Sequence, residues 1–378
     1  MKQNCWDVWP DRGFLCNADP LDHLNDSGLD AHTITQIEAL ATELPNLLEG
    51  GTVQQVIDDF PVYDLSAAQH TDDFRNVERL MTLYSYFASA YVHYDIHNPA
   101  HRIPKGIAVP LHYLSTLVER PPILAYANYV LTNWQRVDAN GKIVVDNLRL
   151  LQNFRDHRDE SWFILIHVDI EARAAEALTG IQDAITAAKH VDSAAMETAL
   201  RRIADSIDSM IRTFERMPEH CDPDVYYFKV RPYIFLFEDV VYEGVDEYGG
   251  KPMTFRGQTG AQSSIMPALV ESLGLEHERS GLTEHLRIMR DYMPKPHREF
   301  IERVSTSAIR DFVTTNGSSA VKDAYNACLR NMLAFRKLHY SYATTYIAEK
   351  VENPLGTGGT VFMEWLDQLV DETEGQLV

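Results

Sequence analysis

Apolar residues recur three and four positions apart along most of this chain, whereas stretches that alternate apolar and polar residues are short and few. The first spacing is typical of α-helices that bury one face, and the second is typical of β-strands. The pattern therefore predicts a mostly α protein. The predicted helices cover residues 33–48, 74–94, 107–118, 123–135, 159–190, 194–217 and 319–350.

A polar segment at 137–142 separates two parts of this helical pattern. It contains the pair Asn140-Gly141, which is a turn signal. A chain of 378 residues is long enough for two or three domains of roughly 100 to 200 residues each. We therefore predict a small N-terminal domain, residues 1–138, packed on a large all-helical domain, residues 139–378.

The balance of charges argues against two classes of partner. The chain has 34 Lys and Arg against 55 Asp and Glu, a formal net charge of −21, which repels phosphate backbones and anionic lipid surfaces. It has no run of about 18 apolar residues that would span a membrane. The four cysteines form no Cys-x-x-Cys pair, which fits a reducing compartment. We expect a cytoplasmic protein without nucleic-acid or membrane partners, and its oligomeric state stays open.

One long predicted helix carries a histidine on its apolar face. The residues that share this face are Val321, Tyr325, Cys328, Met332, Phe335, His339 and Tyr346. A neutral imidazole there can be a core histidine, a metal ligand or the proximal ligand of a haem, whose flat apolar body needs such a lining. Arg336 lies one turn before His339, where its guanidinium could pair with an acidic group at the edge of a cofactor.

A second predicted helix opens near Asp159 and Glu160 and carries His167 four residues after Phe163, hence on the same apolar face. The chain therefore offers two inward-facing histidines on two long helices. They could stand on opposite sides of one flat cofactor, although spacing alone does not show that the two helices meet.

The segment 224–233 places two aromatic residues, Tyr226 and Tyr227, about one turn before Arg231. Pro232 disfavours helical backbone at Arg231, so we predict a break that turns Arg231 off the helix. Aromatic faces beside a guanidinium are the groups that an aromatic amino-acid site needs. Core aromatics followed by a solvated arginine would give the same pattern.

Two glycine-containing segments, 255–264 and 355–360, interrupt the helical pattern. In the first, glycine lets the backbone approach a ligand closely. In the second, closely spaced glycines indicate a mobile loop of the kind that serves as a lid. Plain linkers would fit both segments equally well.

Short segments in a fixed order along nearly the whole chain carry a family resemblance. They include Arg12-Gly13-Phe14-Leu15, Ile107-Ala108-Val109-Pro110, Pro121-Pro122-Ile123-Leu124-Ala125-Tyr126, Tyr242-Glu243-Gly244, Gln262-Ser263-Ser264, Tyr292-Met293-Pro294 and Gly356-Thr357-Gly358-Gly359-Thr360. Together they resemble the indoleamine 2,3-dioxygenases, haem enzymes that open the indole ring of tryptophan with O2. Each match is short, and their shared order makes the resemblance specific.

The resemblance implies roles for residues around a haem. His339 matches the family's proximal haem ligand, and Arg336 matches the arginine that contacts a haem propionate. Thr259 and Gly260 fall in the loop over the haem edge near the substrate's ammonium group. Thr357 belongs to the flexible loop that closes on substrate.

Around the substrate, the resemblance implies that Arg231 binds the carboxylate and that Phe163 and Tyr126 line the indole pocket. Tyr226 and Tyr227 stand where vertebrate members carry phenylalanine. They therefore add hydroxyl groups to the pocket, which could change substrate choice.

His167 also departs from the vertebrate pattern, because those enzymes carry serine at this position. In this respect the pocket resembles that of the tryptophan 2,3-dioxygenases, whose distal histidine contacts the indole N–H. The site is thus similar to both patterns, and His167 and Arg231 are the residues expected to act on the substrate.

The resemblance implies a haem b enzyme that uses O2 to open the indole C2–C3 bond of L-tryptophan, giving N-formyl-kynurenine, with His339 on the iron. The expected partner is therefore a small indole molecule. Two alternatives stand beside this prediction. One is a haem oxygenase that acts on a modified tryptophan or another indole, as the two tyrosines and His167 suggest; the other is a non-catalytic haem or O2-binding protein.

Overall fold

The computed structural model describes residues 5–25, 27–155, 157–352, 354–360 and 362–378. Helices account for 61% of the chain and strands for 5%, which confirms the mostly α prediction. The α-helices are α1 (Ala31–Gly50), α2 (Val53–Asp58), α3 (Arg75–Val92), α4 (Lys105–Val118), α5 (Arg158–Arg173), α6 (Ala175–His190), α7 (Ser193–Phe214), α8 (Pro223–Val225), α9 (Ile265–Ser272), α10 (Gly281–Arg290), α11 (Lys295–Val304), α12 (Ile309–Asn316), α13 (Ser319–Tyr346) and α14 (Met363–Glu374). The strands are β1 (Arg102–Ile103), β2 (Trp134–Arg136), β3 (Leu148–Leu150), β4 (Phe237–Tyr242) and β5 (Pro252–Phe255).

The site-bearing part of the fold is a helical bundle around α7. This helix packs against α5, α6 and α13, and α14 packs on α13. The longest helix, α13, begins where the Ser318 hydroxyl accepts the Val321 N–H, and it buries the predicted apolar face up to Met332. The predicted helices at 33–48, 74–94, 107–118, 194–217 and 319–350 are confirmed as α1, α3, α4, α7 and α13.

The predicted helix at 159–190 is instead two helices, α5 and α6, which meet at Ala174. The break comes from Ser206 of α7. Its hydroxyl donates to the Arg173 carbonyl at 2.8 Å and accepts the Ala177 N–H at 3.1 Å, so it stands between two groups that would bond to each other in a continuous helix. No local signal in 159–190 could have shown this contact.

The predicted helix at 123–135 is wrong. Only Ala127–Leu131 forms a single π turn, and the chain then enters β2. The Thr132 hydroxyl donates back to the Ala127 carbonyl at 3.1 Å, and the Asn133 amide donates to the Tyr129 carbonyl at 3.4 Å, so side chains take carbonyls that a continuing helix would use. All residues from 122 to 134 are buried, so the apolar pattern there does not identify a helix face.

Two small sheets flank the helices. In one, β4 lies between β1, which is parallel to it, and β5, which is antiparallel to it. In the other, β2 and β3 form an antiparallel pair in which Trp134 faces Leu150. The polar segment 137–142 lies in the connection between β2 and β3, and a domain boundary at this point stays a prediction.

The four cysteines, Cys5, Cys16, Cys221 and Cys328, are buried free thiols. The Sγ atoms of Cys5 and Cys16 lie 2.9 Å apart, a contact that their separation in sequence did not predict. None of the helices in the described ranges combines the length and the apolar content that crossing a lipid bilayer requires.

Candidate active site

His339 lies near the end of α13 beside the aromatic end of α7. Its ring centroid is 6.3 Å from that of Phe214. The side chain is exposed, whereas that of Met332 on the same face is buried. Yet burial by the surrounding protein lowers the pKa of His339 to about 4, with a further contribution from His167. The ring is therefore neutral near pH 7.

His167 on α5 also lies near Phe214, with its ring centroid 6.2 Å from that of Phe214. Its Nδ1 lies 2.7 Å from the Phe163 carbonyl, which can only accept, so Nδ1 carries the proton. Burial lowers the pKa of His167, so the ring is neutral. Its Nε2 therefore keeps a lone pair and can accept a hydrogen bond.

Aromatic rings form one wall beside His167. Phe163 is at its centre, with ring centroids 4.6 Å from His167 and 4.6 Å from Tyr226. Tyr126 closes the wall at 6.3 Å from His167. The structure thus brings together four of the predicted substrate residues, and we call Tyr126, Phe163, His167 and Tyr226 the aromatic wall.

Glu171 joins this wall to the loop at 257–264, and sequence reasoning missed it. Its Oε1 accepts the Tyr126 hydroxyl at 2.9 Å and the Ser263 hydroxyl at 2.7 Å. Its Oε2 is buried with no hydrogen bond to a described residue. Burial raises the pKa of Glu171 to about 7, against the effect of the two hydroxyls. The spacing in the sequence could have identified Glu171, because it follows Phe163 and His167 at steps of four on one helix face.

We expect Glu171→Gln to flatten the pH dependence of stability. A carboxyl whose pKa rises from 4.5 to about 7 on folding stabilises the protein most below pH 4.5, and this stabilisation is lost as pH rises through 7. Glutamine does not titrate. Between pH 4.5 and 8, the free energy of unfolding of the wild type should therefore fall by about 3 kcal/mol more than that of the variant. Urea unfolding across this range measures the difference; an identical pH slope in the two proteins would rule out the raised pKa.

Arg231 is a buried cation without an acidic partner among the described residues. Its guanidinium lies over the rings of Tyr227, at 5.4 Å, and Phe235, at 4.9 Å, and its Nε has no hydrogen bond. Burial lowers its pKa. The predicted break before Pro232 is wrong, because Arg231 has helical backbone at the end of a π turn, Tyr226–Val230. The widened turn, and not a break, presents its side chain to the site.

The predicted lid loop, residues 355–360, lies against this arginine and the 257–264 loop. The Leu355 carbonyl accepts a hydrogen bond from Arg231, and the Thr357 hydroxyl donates to the Gln258 carbonyl. Arg256 donates to the Gly358 carbonyl at 2.6 Å. Three polar contacts therefore join the lid loop to Arg231 and to the 256–258 segment in this structure, and its role as a lid stays a prediction.

The neighbouring turn, Gly260–Gln262, begins where the Thr259 hydroxyl accepts the Ala261 N–H at 3.4 Å. Gly260 is exposed, and a Cβ placed on it would meet open space. Thr259 and Gly260 are thus linked to the lid loop through Gln258. Their contact with a haem edge stays a prediction.

Arg336 stands apart from these groups. Its guanidinium donates to the Leu369 carbonyl at 2.7 Å and to the Thr373 hydroxyl, both on α14. Burial lowers its pKa to about 10, and Glu372 opposes the effect. None of the described carboxylates forms an ion pair with it. A partner carboxylate, such as the predicted propionate, would therefore meet an uncompensated charge.

A separate pocket of about 460 Å³ lies in the N-terminal part of the chain. Its lining includes Glu38 and Arg79, which form an ion pair with each other. Arg79 also donates to the Leu21 carbonyl at 3.1 Å. These two charged groups therefore already have partners, in contrast to Arg231.

Comparisons with known proteins agree with this geometry. A sequence profile described as indoleamine 2,3-dioxygenase matches residues 2–376. The chain is 32% identical to indoleamine 2,3-dioxygenase 1 of Rattus norvegicus, over 90% of this chain and 88% of the rat protein. It is 29% identical to indoleamine 2,3-dioxygenase of Saccharomyces cerevisiae, over 97% of this chain and 91% of the yeast protein.

A further relative is named for a modified substrate. The chain is 26% identical to 6-hydroxytryptophan 2,3-dioxygenase of Fusarium equiseti, over 89% of this chain and 82% of the fungal protein. The profile match over nearly the whole chain and the identity to the rat protein together show that this protein belongs to the indoleamine 2,3-dioxygenase family and is an enzyme of that haem-dependent dioxygenase type.

Proposed function

We propose that the protein uses haem b and O2 to open the indole C2–C3 bond of L-tryptophan, giving N-formyl-kynurenine. One observation carries the choice of an amino acid as substrate. Arg231 is a buried guanidinium with no acidic partner among the described residues, and it lies beside an aromatic wall. A substrate that carries both a carboxylate and a flat aromatic ring would pair with the guanidinium and pack on the aromatic wall.

The residues around His339 fit a haem. The imidazole is neutral, because its pKa is lowered to about 4, and neither ring nitrogen has a hydrogen bond to a described residue. Its lone pair is therefore available to iron, and the stacked rings of Phe214 and Phe335, 5.2 Å apart, offer an apolar surface beside it. Arg336, Thr259 and Gly260 would hold the polar edge of the cofactor. Haem, when bound, supplies the activation of O2.

The chain itself supplies binding and orientation. Arg231 pairs with the substrate carboxylate, and the rings of Phe163, Tyr126 and Tyr226 hold the indole. His167 accepts the indole N–H at Nε2, because its Nδ1 proton already binds the Phe163 carbonyl. These contacts fix the reacting C2–C3 bond in one place, which is the main contribution that a protein makes to cofactor chemistry.

The lid loop excludes water from this arrangement. The Leu355 carbonyl accepts one N–H of the Arg231 guanidinium, and a substrate carboxylate would bind the N–H groups that remain. The contacts of Thr357 and Gly358 with the 256–258 segment would hold the lid loop beside the bound substrate. Closure of this kind keeps the reacting groups dry.

We expect His167→Ala to lower kcat by about 10- to 100-fold while the protein keeps its haem, because His167 orients substrate and does not bind the cofactor. Steady-state rates and the absorption spectrum measure the two properties. Tryptophan methylated on the indole nitrogen is the matched control, since it cannot donate to Nε2 and should react equally slowly with both proteins. Loss of haem from the variant, or a rate equal to wild type, would contradict this role.

A second candidate substrate is a hydroxylated tryptophan. Tyr226 and Tyr227 add hydroxyls to the pocket, and the Fusarium equiseti relative is named for 6-hydroxytryptophan. Aerobic assays of the reduced, haem-loaded protein against tryptophan, hydroxytryptophans and tryptamine compare the two candidates. A kcat/KM that is highest for tryptophan supports the proposal, and a higher value for a hydroxytryptophan would replace it. No turnover of any indole would indicate a haem or O2-binding protein.

We also propose that the protein works in the cytoplasm on a small indole, without nucleic acid or membrane partners. The cysteine pattern, which has no Cys-x-x-Cys pair, and the net charge of −21 support this view.

A further inference from the structure

Two buried thiols lie against each other in the N-terminal part of the chain. The Sγ atoms of Cys5 and Cys16 are 2.9 Å apart, and the two residues are only 3% and 1% exposed. The sulfur atoms of a disulfide lie about 2.0 Å apart, so a movement of about 1 Å would bring this pair to bonding distance. The fold therefore already holds the two thiols where a bond between them can form.

The backbone of residues 5–16, which we call the 5–16 segment, brings the two cysteines together. The Asn17 N–H donates to the Cys5 carbonyl at 3.1 Å and closes the segment at its base. Within the segment, the N–H groups of Trp9 and Gly13 donate to each other's carbonyls at 3.0 and 2.8 Å. The nearness of the two sulfurs thus follows from a hydrogen-bonded backbone loop and not from side-chain rotamers alone.

The 5–16 segment packs on residues that support the active site. The ring of Phe14 lies 4.6 Å from that of His297, whose Nδ1 is 3.3 Å from the Ser264 hydroxyl. Gly13 lies so close to α5 that a Cβ placed on it would be 3.1 Å from the backbone oxygen of Glu171. The segment therefore lies directly behind Glu171, which accepts a hydrogen bond from the aromatic wall.

Burial keeps the two thiols from reacting rapidly. It raises the pKa of the Cys5 thiol, and the contact with Cys16 raises it further. The thiolate is the form that attacks another sulfur, so the Cys5 sulfur is a poor nucleophile while the segment is folded. Reaction with an external disulfide therefore requires the segment to open transiently, and we expect it to take hours.

We propose that Cys5 and Cys16 are a redox-sensitive modification site, at which a reversible disulfide fastens the 5–16 segment. The oxidant is a small-molecule disulfide such as oxidised glutathione. One cysteine, as its thiolate, attacks this disulfide and releases one small thiol, and the second cysteine then displaces the other. The two cysteines lose two electrons and two protons, which the small disulfide gains as it becomes two thiols. Disulfides in reducing compartments are usually of this transient, redox-sensing kind.

The test equilibrates the haem-loaded protein anaerobically with set ratios of reduced to oxidised glutathione, alkylates the remaining thiols in denaturant and maps the cysteines by mass spectrometry. Trypsin cuts after Arg12, between the two cysteines, so a disulfide leaves two peptides joined. We expect this joined pair, which dithiothreitol should separate, and alkylated Cys221 and Cys328. Half-oxidation should need at least about tenfold less oxidised glutathione in the native protein than in urea, because only the fold holds the two sulfurs together.

Two variants show whether the bond fastens the segment. Oxidation should slow amide hydrogen exchange across residues 6–15 by about tenfold or more in the wild type, because the bond restricts the opened state. The matched control Cys328→Ala keeps the pair and should show the same slowing, whereas Cys16→Ala should show none. The peptide map of the wild type needs no variant, so it decides the question even where a substitution prevents folding.

Three results would overturn the inference. Cys5 and Cys16 could both remain alkylated at the most oxidising ratio, either could join glutathione or a different cysteine instead, or native and unfolded chains could be oxidised at the same ratio. These results are independent of the proposed function, which is measured by the turnover of tryptophan.

Discussion

His339→Ala is expected to purify with less than about a tenth of the haem that the wild-type protein holds, and to be inactive even when haem is added. The ring is neutral, is accessible and has no hydrogen-bond partner among the described residues. Removing a residue that only supports a metal ligand weakens metal binding by about 10- to 100-fold. Removing the ligand itself should weaken haem binding at least as much. Pigment content and the absorption spectrum measure the effect.

Two controls separate a lost ligand from a damaged fold. His167→Ala removes the other histidine that contacts Phe214 and should keep its haem. His339→Gly should regain haem absorption when imidazole is added, because the free ring can occupy the vacated space. A normal haem spectrum for His339→Ala without imidazole would remove this residue as the ligand.

Arg231→Leu is expected to lower kcat/KM for L-tryptophan by about 100-fold or more. Truncating one partner of a buried charge pair costs about 2 to 5 kcal/mol, and in the absence of the guanidinium the substrate carboxylate would be buried without a counter-charge. Most of the loss should appear in KM, because the carboxylate is bound alike before and during the reaction. Steady-state kinetics measure both parameters.

Tryptamine is the control for this variant, since it has no carboxylate to pair. Arg231 also holds the Leu355 carbonyl of the lid loop, so a loosened lid would slow both substrates together. We expect a loss for tryptophan only. Arg231→Lys, which keeps the charge but not the forked geometry, should recover part of the activity. An unchanged KM for tryptophan in Arg231→Leu would count against the clamp.

The sequence predicted the elements that carry the site better than it predicted their ends. The face that includes His339 was visible because α13 is long and regularly spaced, and Ser318 marks its start. The break at Ala174 was not visible, because it depends on the Ser206 hydroxyl of another helix. Spacing records local preference and cannot record a contact with a residue far along the chain.

At the site, too, spacing predicted local neighbours but not contacts between helices. Phe163 and His167 were placed on one face from their spacing, and the structure confirms that their rings are neighbours. The position of Phe214 near both histidines, and the contacts of Arg336 with α14, arise only from helix packing. The roles assigned to these residues at a haem came from family resemblance and stay predictions.

Pro232 illustrates why a correct local rule can give a wrong structure. Residues before proline avoid helical backbone, yet Arg231 is helical because the chain widens into a π turn and then tightens into the 3₁₀ turn Arg231–Ile234. The break was expected to turn the Arg231 side chain off the helix and into the site. The π turn has the same effect.

The most direct test of this account is the mass of the product that the reduced, haem-loaded protein forms from L-tryptophan under isotopically heavy O2. Ring opening inserts both atoms of one O2 molecule across the C2–C3 bond, so the account predicts N-formyl-kynurenine that carries two heavy oxygen atoms. A product with a single heavy oxygen atom, or tryptophan recovered unchanged, would contradict it.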